Sequence, residues 1–249
     1  MKLDRMIAVR NDKTLYRDGD RCIKVFNAEY SKADVLNEAL NQARIEQLGL
    51  HVPRVLEVTA IDGKWAIVFE YVKGTTLAQL MKEDPEKKAE YIELLVDLQM
   101  RVHAKTAPLL NKLKDKMARK IMQSELEATT RYNLYARIMN MPKHSKVCHG
   151  DFNPSNIIVA EDGTSYILDW AHATQGNASA DAACTYLSFL LNGDRDGAQN
   201  YLDTFCKKSN TEKKYVQGWL PIVAAAQSVG ANEEERELLL PLVNAVDCP

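Results

Sequence analysis

Apolar and polar residues alternate in short runs along the first third of the chain and recur at helical spacing over most of the rest. Residues 6–9, 14–17 and 21–26 each read as a strand, with an Asp18-Gly19 turn before the third. Side chains of a strand point alternately to its two faces, so in the third run Cys22, Lys24 and Phe26 share one face and Ile23 and Val25 the other. Lys24 therefore stands among apolar neighbours and needs an anionic partner or a path to water along its own stem. Ser31 with Asp34 three residues on is a helix start of the capping-box kind. Leu36, Ala39, Leu40, Ala43 and Leu48 then predict the apolar face of a helix ending at Gly49. Residues 55–59 and 65–69 read as two more strands around an Asp62-Gly63 turn. The pattern breaks at residues 70–74, ahead of Thr75 and Thr76, where a threonine can cap the next helix.

Helical periodicity takes over at Pro85. One helix is predicted over residues 85–103, carrying Leu94, Leu95 and Leu98, and a second from Leu109 to about Met139, before Pro142. After residues 171–181, a loop with few apolar anchors, four more helices are predicted over residues 181–191, 194–207, 211–229 and 232–246. Lys112, Lys114, Lys116, Arg119 and Lys120 form a basic stretch without interleaved aromatics, which reads as a solvated helix face. Glu233, Glu234, Glu235 and Glu237 sit where acidic residues favour a helix N-terminus.

Composition narrows the classes. The 249 residues are 46% hydrophobic and 27% charged with a net charge of -2, an ordinary globular balance with no general attraction to nucleic acid or anionic membrane. No apolar run approaches the roughly 18 to 20 residues of a membrane span, and the start Met-Lys-Leu-Asp-Arg lacks the apolar core of a signal peptide. The expectation is a cytoplasmic protein of one or two domains. Cys22, Cys148, Cys184, Cys206 and Cys248 are widely spread with no Cys-x-x-Cys pair, so reduced, mostly buried thiols are expected rather than disulfides or a zinc site.

The helical pattern is interrupted by the most informative stretch, residues 148–170. Asp151 and Asn156 are five residues apart in a segment that Pro154 keeps from being helical. Residues 157–160 and 165–168, joined through Asp162-Gly163, predict a hairpin that carries Asp169 back beside Asn156. Oxygen-bearing side chains then converge at one end of an apolar hairpin, an arrangement that suits a hard cation and a phosphate.

This order of Asp, four residues, Asn, hairpin and Asp resembles the catalytic loop and metal-binding aspartate of protein-kinase-like enzymes. His149-Gly150-Asp151 and Asp169-Trp170 resemble the small-molecule branch, the aminoglycoside phosphotransferase and choline kinase superfamily. The resemblance implies an α+β, bilobal protein-kinase-like fold: an antiparallel β-sheet N-terminal lobe with one helix over residues 1–69, a hinge at 70–74, and a mainly helical C-terminal lobe over 75–249. It implies ATP, with GTP as the other compatible nucleotide, together with Mg²⁺, and a small-molecule hydroxyl acceptor that is aminoglycoside-, choline- or sugar-like. Asp151 is the implied catalytic base, Asn156 and Asp169 the implied Mg²⁺ ligands, and His149 a structural brace. Lys24 is assigned to the α- and β-phosphates and Glu38 to Lys24, with Glu46 the competing partner that reads better as a solvated residue. Glu70 and Val72 are assigned to adenine through their backbone.

Two departures from the pattern stand out. The glycine-rich turn expected after the first strand is replaced by residues 10–14, Arg-Asn-Asp-Lys-Thr, where Asn11 and Asp12 form the turn and Arg10, Lys13 or Thr14 is left to contact phosphate. Ala171 stands where an acidic residue commonly follows the tryptophan. Asp181 is expected to fix this loop, and His172 and Gln175 are candidate substrate neighbours. Two alternatives remain at the level of sequence: a catalytically silent nucleotide-binding regulator, and a metal-dependent hydrolase built on His149, Asp151 and Asp169. Acceptor identity and oligomeric state are open.

Overall fold

A computed structural model describes residues 3, 5–10 and 12–244. In chain order the elements are β1 (Arg5–Val9), β2 (Lys13–Asp18), β3 (Arg21–Phe26), α1 (Lys32–Glu46), β4 (Val55–Ile61), β5 (Lys64–Glu70), β6 (Gly74–Thr76) and α2 (Leu77–Glu83). There follow α3 (Lys88–His103), α4 (Leu113–Gln123), α5 (Ala128–Asn140), β7 (Lys146–Cys148), β8 (Ile157–Ala160), β9 (Ser165–Ile167) and β10 (Thr174–Gly176). The last are α6 (Ala178–Leu191), α7 (Arg195–Ser209), α8 (Lys213–Gln217), α9 (Leu220–Gln227) and α10 (Glu233–Val243). Asn11, Cys248 and the expected run of the final helix to Val246 lie outside the described residues. Contacts divide the chain into two compact units: the described part of Met1–Glu83 with Pro154–His172, and that of Asp84–Asn153 with Ala173–Pro249.

The first unit is built on an antiparallel sheet in the order β1-β2-β3-β5-β4. Asp62 and Gly63 both have positive φ (49° and 76°), which a two-residue hairpin turn demands. Strand alternation splits the core. Phe26 and Ile67 pack under Val35 and Ala39 of α1, while Ile23, Val25, Ala66 and Val68 form a cluster of their own. Ser31 caps α1, its side chain accepting from the Asp34 N–H at 3.1 Å.

The face that α1 buries differs from the expected one. Leu36 and Leu40 are 45% and 49% exposed, and the buried side chains are Val35, Glu38, Ala39, Asn41, Gln42 and Ile45. Three polar groups thus take the place of leucines because the inner face has polar partners to serve. Gln42 donates to the Pro53 carbonyl at 2.7 Å, Asn41 to the Ala171 carbonyl at 3.3 Å, and Glu38 meets Lys24. Glu46, expected to be solvated, is half-buried, and its Oε1 accepts the Val55 N–H at 2.8 Å, at the start of β4.

A separate sheet, β6-β8-β9, completes this unit. The hairpin β8–β9 pairs Ile157 with Ile167 and Ile158 with Tyr166, and the Leu168 N–H then donates to the Asn156 carbonyl at 2.8 Å. Gly74 lies so close to β8 that a Cβ there would run into the Val159 carbonyl oxygen and the Ile158 side chain.

The second unit is mainly helical, with Ile92 and Leu95 of α3, Tyr201 and Phe205 of α7, and Trp219 fully or nearly fully buried. Two helices predicted as continuous are broken. The first divides into α4 and α5 at Ser124, whose hydroxyl donates back to the Ile121 carbonyl at 2.7 Å while its own carbonyl accepts from Arg131 at 3.1 Å. The second divides into α8 and α9 around Gly218 and Trp219, where Pro221 begins a new helix because it cannot continue an old one. The segment expected to be a loop after Trp170 contains β10, which pairs with β7 through Thr174 and Cys148, Gln175 and Val147, and Gly176 and Lys146. Nor is the basic stretch a uniformly solvated face. Lys114 donates to the Met139 and Met141 carbonyls, and burial pushes the Lys116 ammonium down to about 8.

Among the described residues no helix is long and apolar enough to cross a membrane. The described cysteines are free thiols, three of them buried, and burial pushes each thiol up, so none is a ready nucleophile at neutral pH. Asn232 caps α10 in a capping box with Glu235, which accounts for the acidic run there as a helix start. Gly74→Ala is expected to destabilise the chain by about 1–3 kcal/mol through overpacking, read as a lower urea midpoint at unchanged slope.

Candidate active site

Lys24 occupies the central strand β3, opposite Ile67 of β5, on the face covered by α1. Only 4% of the residue is exposed, so its ammonium must be paired. Glu38 of α1, itself 2% exposed, bonds it directly, and Asp169 Oδ1 lies 3.1 Å away. The second Glu38 oxygen, Oε2, is buried without a hydrogen-bond partner among the described residues, so the carboxylate acts on Lys24 through one oxygen. Burial alone would lower the Lys24 ammonium, but Asp169 and Glu38 together hold it above the usual lysine range.

Asp169 follows the β8–β9 hairpin in a left-handed backbone conformation, φ 59°. Such geometry is uncommon outside glycine, with Asp and Asn among the residues that tolerate it. Its other oxygen, Oδ2, accepts from the Lys13 ammonium at 3.1 Å. Burial would raise its carboxyl, yet the Lys24 and Lys13 ammoniums hold it well below the usual carboxylate range. Asp169 is therefore an anion at any physiological pH.

A cavity of about 410 Å³ opens on this network, lined entirely by residues of the first unit. Lys24, Glu38, Glu70, Val72, Asn156 and Asp169 all contribute to its wall, as do Arg10 and Lys13. His172 is exposed and not part of that wall. At the edge of β5, Glu70 is clamped by Arg54, which donates through Nε at 2.7 Å and holds the carboxyl below its ordinary value. The Glu70 and Tyr71 N–H groups donate to the Arg54 and Asp20 carbonyls, at 3.0 and 2.9 Å.

In the second unit, β7 leads into His149, Gly150 and Asp151. Gly150 has φ 83°, and its N–H donates to Asp181 Oδ1 at 2.7 Å. Asp181 Oδ2 meets His103 Nε2 at 2.9 Å and accepts from Gln99 at 3.3 Å, deep in the unit where Asp181 is 1% exposed. Burial would raise the Asp181 carboxyl; His103, His149 and the Gly150 N–H hold it below its ordinary value. The loop is thus fastened to the first turn of α6 by a buried carboxylate. His149 is fully buried, accepts the Asp151 N–H at Nδ1 (3.2 Å) and packs edge-on against Phe152. Asp151 is half-buried and accepts from Asn153 at 2.9 Å.

Sequence reasoning missed two of these features. The sequence offers Lys13 only as a phosphate contact, and its pairing with Asp169 spans 156 positions with no local signal. His103 reads in the sequence as the end of a helix, with nothing local to tie it to Asp181. Gln175, a candidate substrate neighbour, is instead tied down: its side chain donates to the Pro108 and Leu110 carbonyls, each at 2.7 Å. Among the described residues there is no group of three or more His, Cys, Asp or Glu that could by itself hold a metal ion.

A lysine of the third strand paired with a glutamate of the following helix is a recurring part of kinase-like folds. Residues 9–219 match the model of the phosphotransferase enzyme family, and the chain belongs to that family. Its fold is similar to that of the aminoglycoside phosphotransferase APH(4)-Ia, with TM-score 0.72 at 13% identity over 98% of this chain and 93% of that one. It is also similar to an aminoglycoside-3'-phosphotransferase of type VIII, with TM-score 0.62 at 17% identity over 96% and 92% of the two chains. Choline kinase LicA from Streptococcus pneumoniae gives TM-score 0.63 at 14% identity over 97% and 93%. No curated protein sequence matches the chain.

Asp169→Asn keeps a side chain that tolerates the left-handed backbone but removes the charge that two lysines share. It is expected to lower stability at pH 7 by about 1–3 kcal/mol. Because the carboxyl is depressed in the folded chain, its contribution is complete above the unfolded value of about 3.9 and is lost as pH falls further. Unfolding free energies of wild type and variant therefore stay apart from neutral pH to about pH 4 and converge below it.

Proposed function

We propose that the chain transfers the γ-phosphoryl group of ATP, with Mg²⁺, to a hydroxyl of a small molecule. The observation that carries this reading is that Lys24, Glu38, Glu70, Val72, Asn156 and Asp169 line one cavity. Lys24, held in place by Glu38, would bind the α- and β-phosphates. Glu70 through its carbonyl and Val72 through its N–H meet the adenine edge, since the N–H groups of Glu70 and Tyr71 are engaged elsewhere; GTP is the other nucleotide this backbone recognition admits. Residues 70–74 are the hinge in this reading, with 1–69 as the nucleotide-binding lobe and 75–249 as the catalytic and acceptor-binding lobe.

The donor set fits Mg²⁺: an ionised carboxylate at Asp169 and an amide oxygen at Asn156, both hard ligands lining the same cavity. When bound, the metal neutralises charge on the transferring phosphate. Asp151 orients the acceptor hydroxyl and takes its proton, and Asp181 keeps that aspartate's loop in shape through the Gly150 N–H. Catalysis is then mostly positioning and electrostatic stabilisation. The joint presence of Lys24, Asp151, Asn156 and Asp169 favours catalysis over a silent regulator.

The acceptor is proposed to be aminoglycoside-, choline- or sugar-like. APH(4)-Ia has been crystallised in a ternary complex with AMP-PNP and hygromycin B, and LicA is a choline kinase, which supports a small hydroxylated acceptor here.

Calorimetric titration with ATP, with and without Mg²⁺, tests the reading. Wild type is expected to bind in an Mg²⁺-dependent manner, and Asp169→Asn to lose that dependence; absence of any ATP or GTP binding by wild type would sink it. Asp151→Asn is expected to keep nucleotide affinity while lowering kcat on an accepted substrate by about 10²–10⁴-fold, with full retained turnover as the contrary result.

A further inference from the structure

Kinase-like folds bring a glycine-rich turn over the nucleotide so that backbone N–H groups approach the phosphates. In this chain the β1–β2 turn has no glycine; its Arg10 N–H closes on the Lys13 carbonyl at 2.8 Å, and the Asp12 carbonyl accepts from the Asn27 N–H at 2.9 Å. What the hairpin offers the cavity is a side chain. Lys13, at the start of β2, reaches Asp169 Oδ2 at 3.1 Å while Lys24 holds Oδ1 at the same distance. One carboxylate thus carries an ammonium on each oxygen.

The two lysines are not equivalent. The Lys24 side chain is 5% exposed and has a second partner in Glu38, so it cannot leave without stranding a buried carboxylate. The Lys13 side chain is 17% exposed, and Asp169 is its ion-pair partner among the described residues. The four charges, two lysines and two carboxylates, already balance. A divalent cation arriving alone at Asp169 would face both ammoniums at close range, in a partly desolvated site where repulsion is weakly screened. A triphosphate changes the balance, because it brings enough negative charge to draw an ammonium off the carboxylate and to accept the metal beside it.

We propose that Lys13 is a displaceable counter-ion: it holds Asp169 in the empty pocket and moves onto the nucleotide's phosphates when they enter. It replaces the glycine-rich turn as the phosphate clamp, and it makes metal binding conditional on nucleotide. This rests on the nucleotide-pocket reading above and assigns that pocket an order of binding.

Mn²⁺ binding followed by electron paramagnetic resonance, with AMP-PNP affinity from calorimetry, separates the two halves of the claim without requiring turnover. Wild type is expected to bind Mn²⁺ weakly alone and tightly with AMP-PNP present. Lys13→Met should bind Mn²⁺ alone about tenfold or more tighter and Mg·AMP-PNP about tenfold or more weaker, the scale of one charge-assisted hydrogen bond. Lys13→Arg, which keeps the charge, should restore exclusion of the lone metal and most of the nucleotide affinity. Thermal unfolding of each variant confirms that it is folded. If Lys13→Met leaves either affinity within about twofold of wild type, a difference below that of a single hydrogen bond, the proposal is overturned while the pocket reading stands. If wild type binds no AMP-PNP at all, the pocket reading itself fails and the proposal with it.

Discussion

A lysine ammonium at the centre of a β-sheet is the constraint around which the first unit is arranged. Lys24 on β3 cannot reach bulk water, and an isolated buried charge is costly enough to unfold a domain or lose its proton. Its partners come from elements far apart in sequence: Glu38 from α1 and Asp169 from the segment after β9. Helix and hairpin are therefore fixed to the sheet by charge as well as by apolar contact. The polar inner face of α1 follows from the same requirement, and so does the outward placement of Leu36 and Leu40. Tyr30, stacked on Phe26, feels the network too; burial and the negative charge of Glu38 and Asp12 push its hydroxyl up to about 12. The left-handed backbone at Asp169 is strain of the kind that persists where surrounding contacts over-determine it, and here both carboxylate oxygens are held.

The second unit solves an analogous problem with the signs reversed. Asp181 is a buried anion at the start of α6, and its ligands are a loop N–H, a histidine at the end of α3 and a glutamine one turn earlier. Gly150 can donate there because φ 83° is open to glycine, which turns the loop so that its N–H faces the helix. The His-Gly-Asp loop is thereby tied to the first turn of α6.

What the sequence disclosed and what it hid divide by range. The hairpin from Ile157 to Ile167 and the Asp62-Gly63 turn were legible because two-residue periodicity and positive-φ turn residues are local signals. The antiparallel sheet, the helical remainder and the likeness to kinase-like phosphotransferases followed from motifs in order along the chain. The buried face of α1 was misread because amphipathic patterning assumes that what is buried is apolar, an assumption that fails where a helix must serve charges and carbonyls. The break at Ser124 carries no glycine or proline to mark it, whereas the one at Gly218 was overlooked although Gly218 and Pro221 are local signals of a helix boundary. Strand β10 is three residues long and is defined by its pairing with β7 alone. Lys13 could be named as a residue of the turn, but that it leans on Asp169 is a fact of folding.

A fold shared at 13% identity is kept while most of the side chains differ. Apolar core positions can be refilled by other residues of similar volume with modest loss, provided the pattern is kept. A buried ion network cannot be exchanged piecemeal, since removal of one member leaves another charge without compensation. Among the described residues such networks sit at the cavity and at the His-Gly-Asp loop, whereas ion pairs such as Arg236 with Glu125 or Lys73 with Glu161 involve exposed groups of small energetic weight. Lys24 and Asp169, which the fold cannot lose piecemeal, are also residues that the proposed chemistry uses. Lys13 is the informative exception: it is charged and tied to the network through Asp169, its ion-pair partner among the described residues, so the fold can release it. A group that stabilises the empty pocket and can leave it is what an ordered binding site requires.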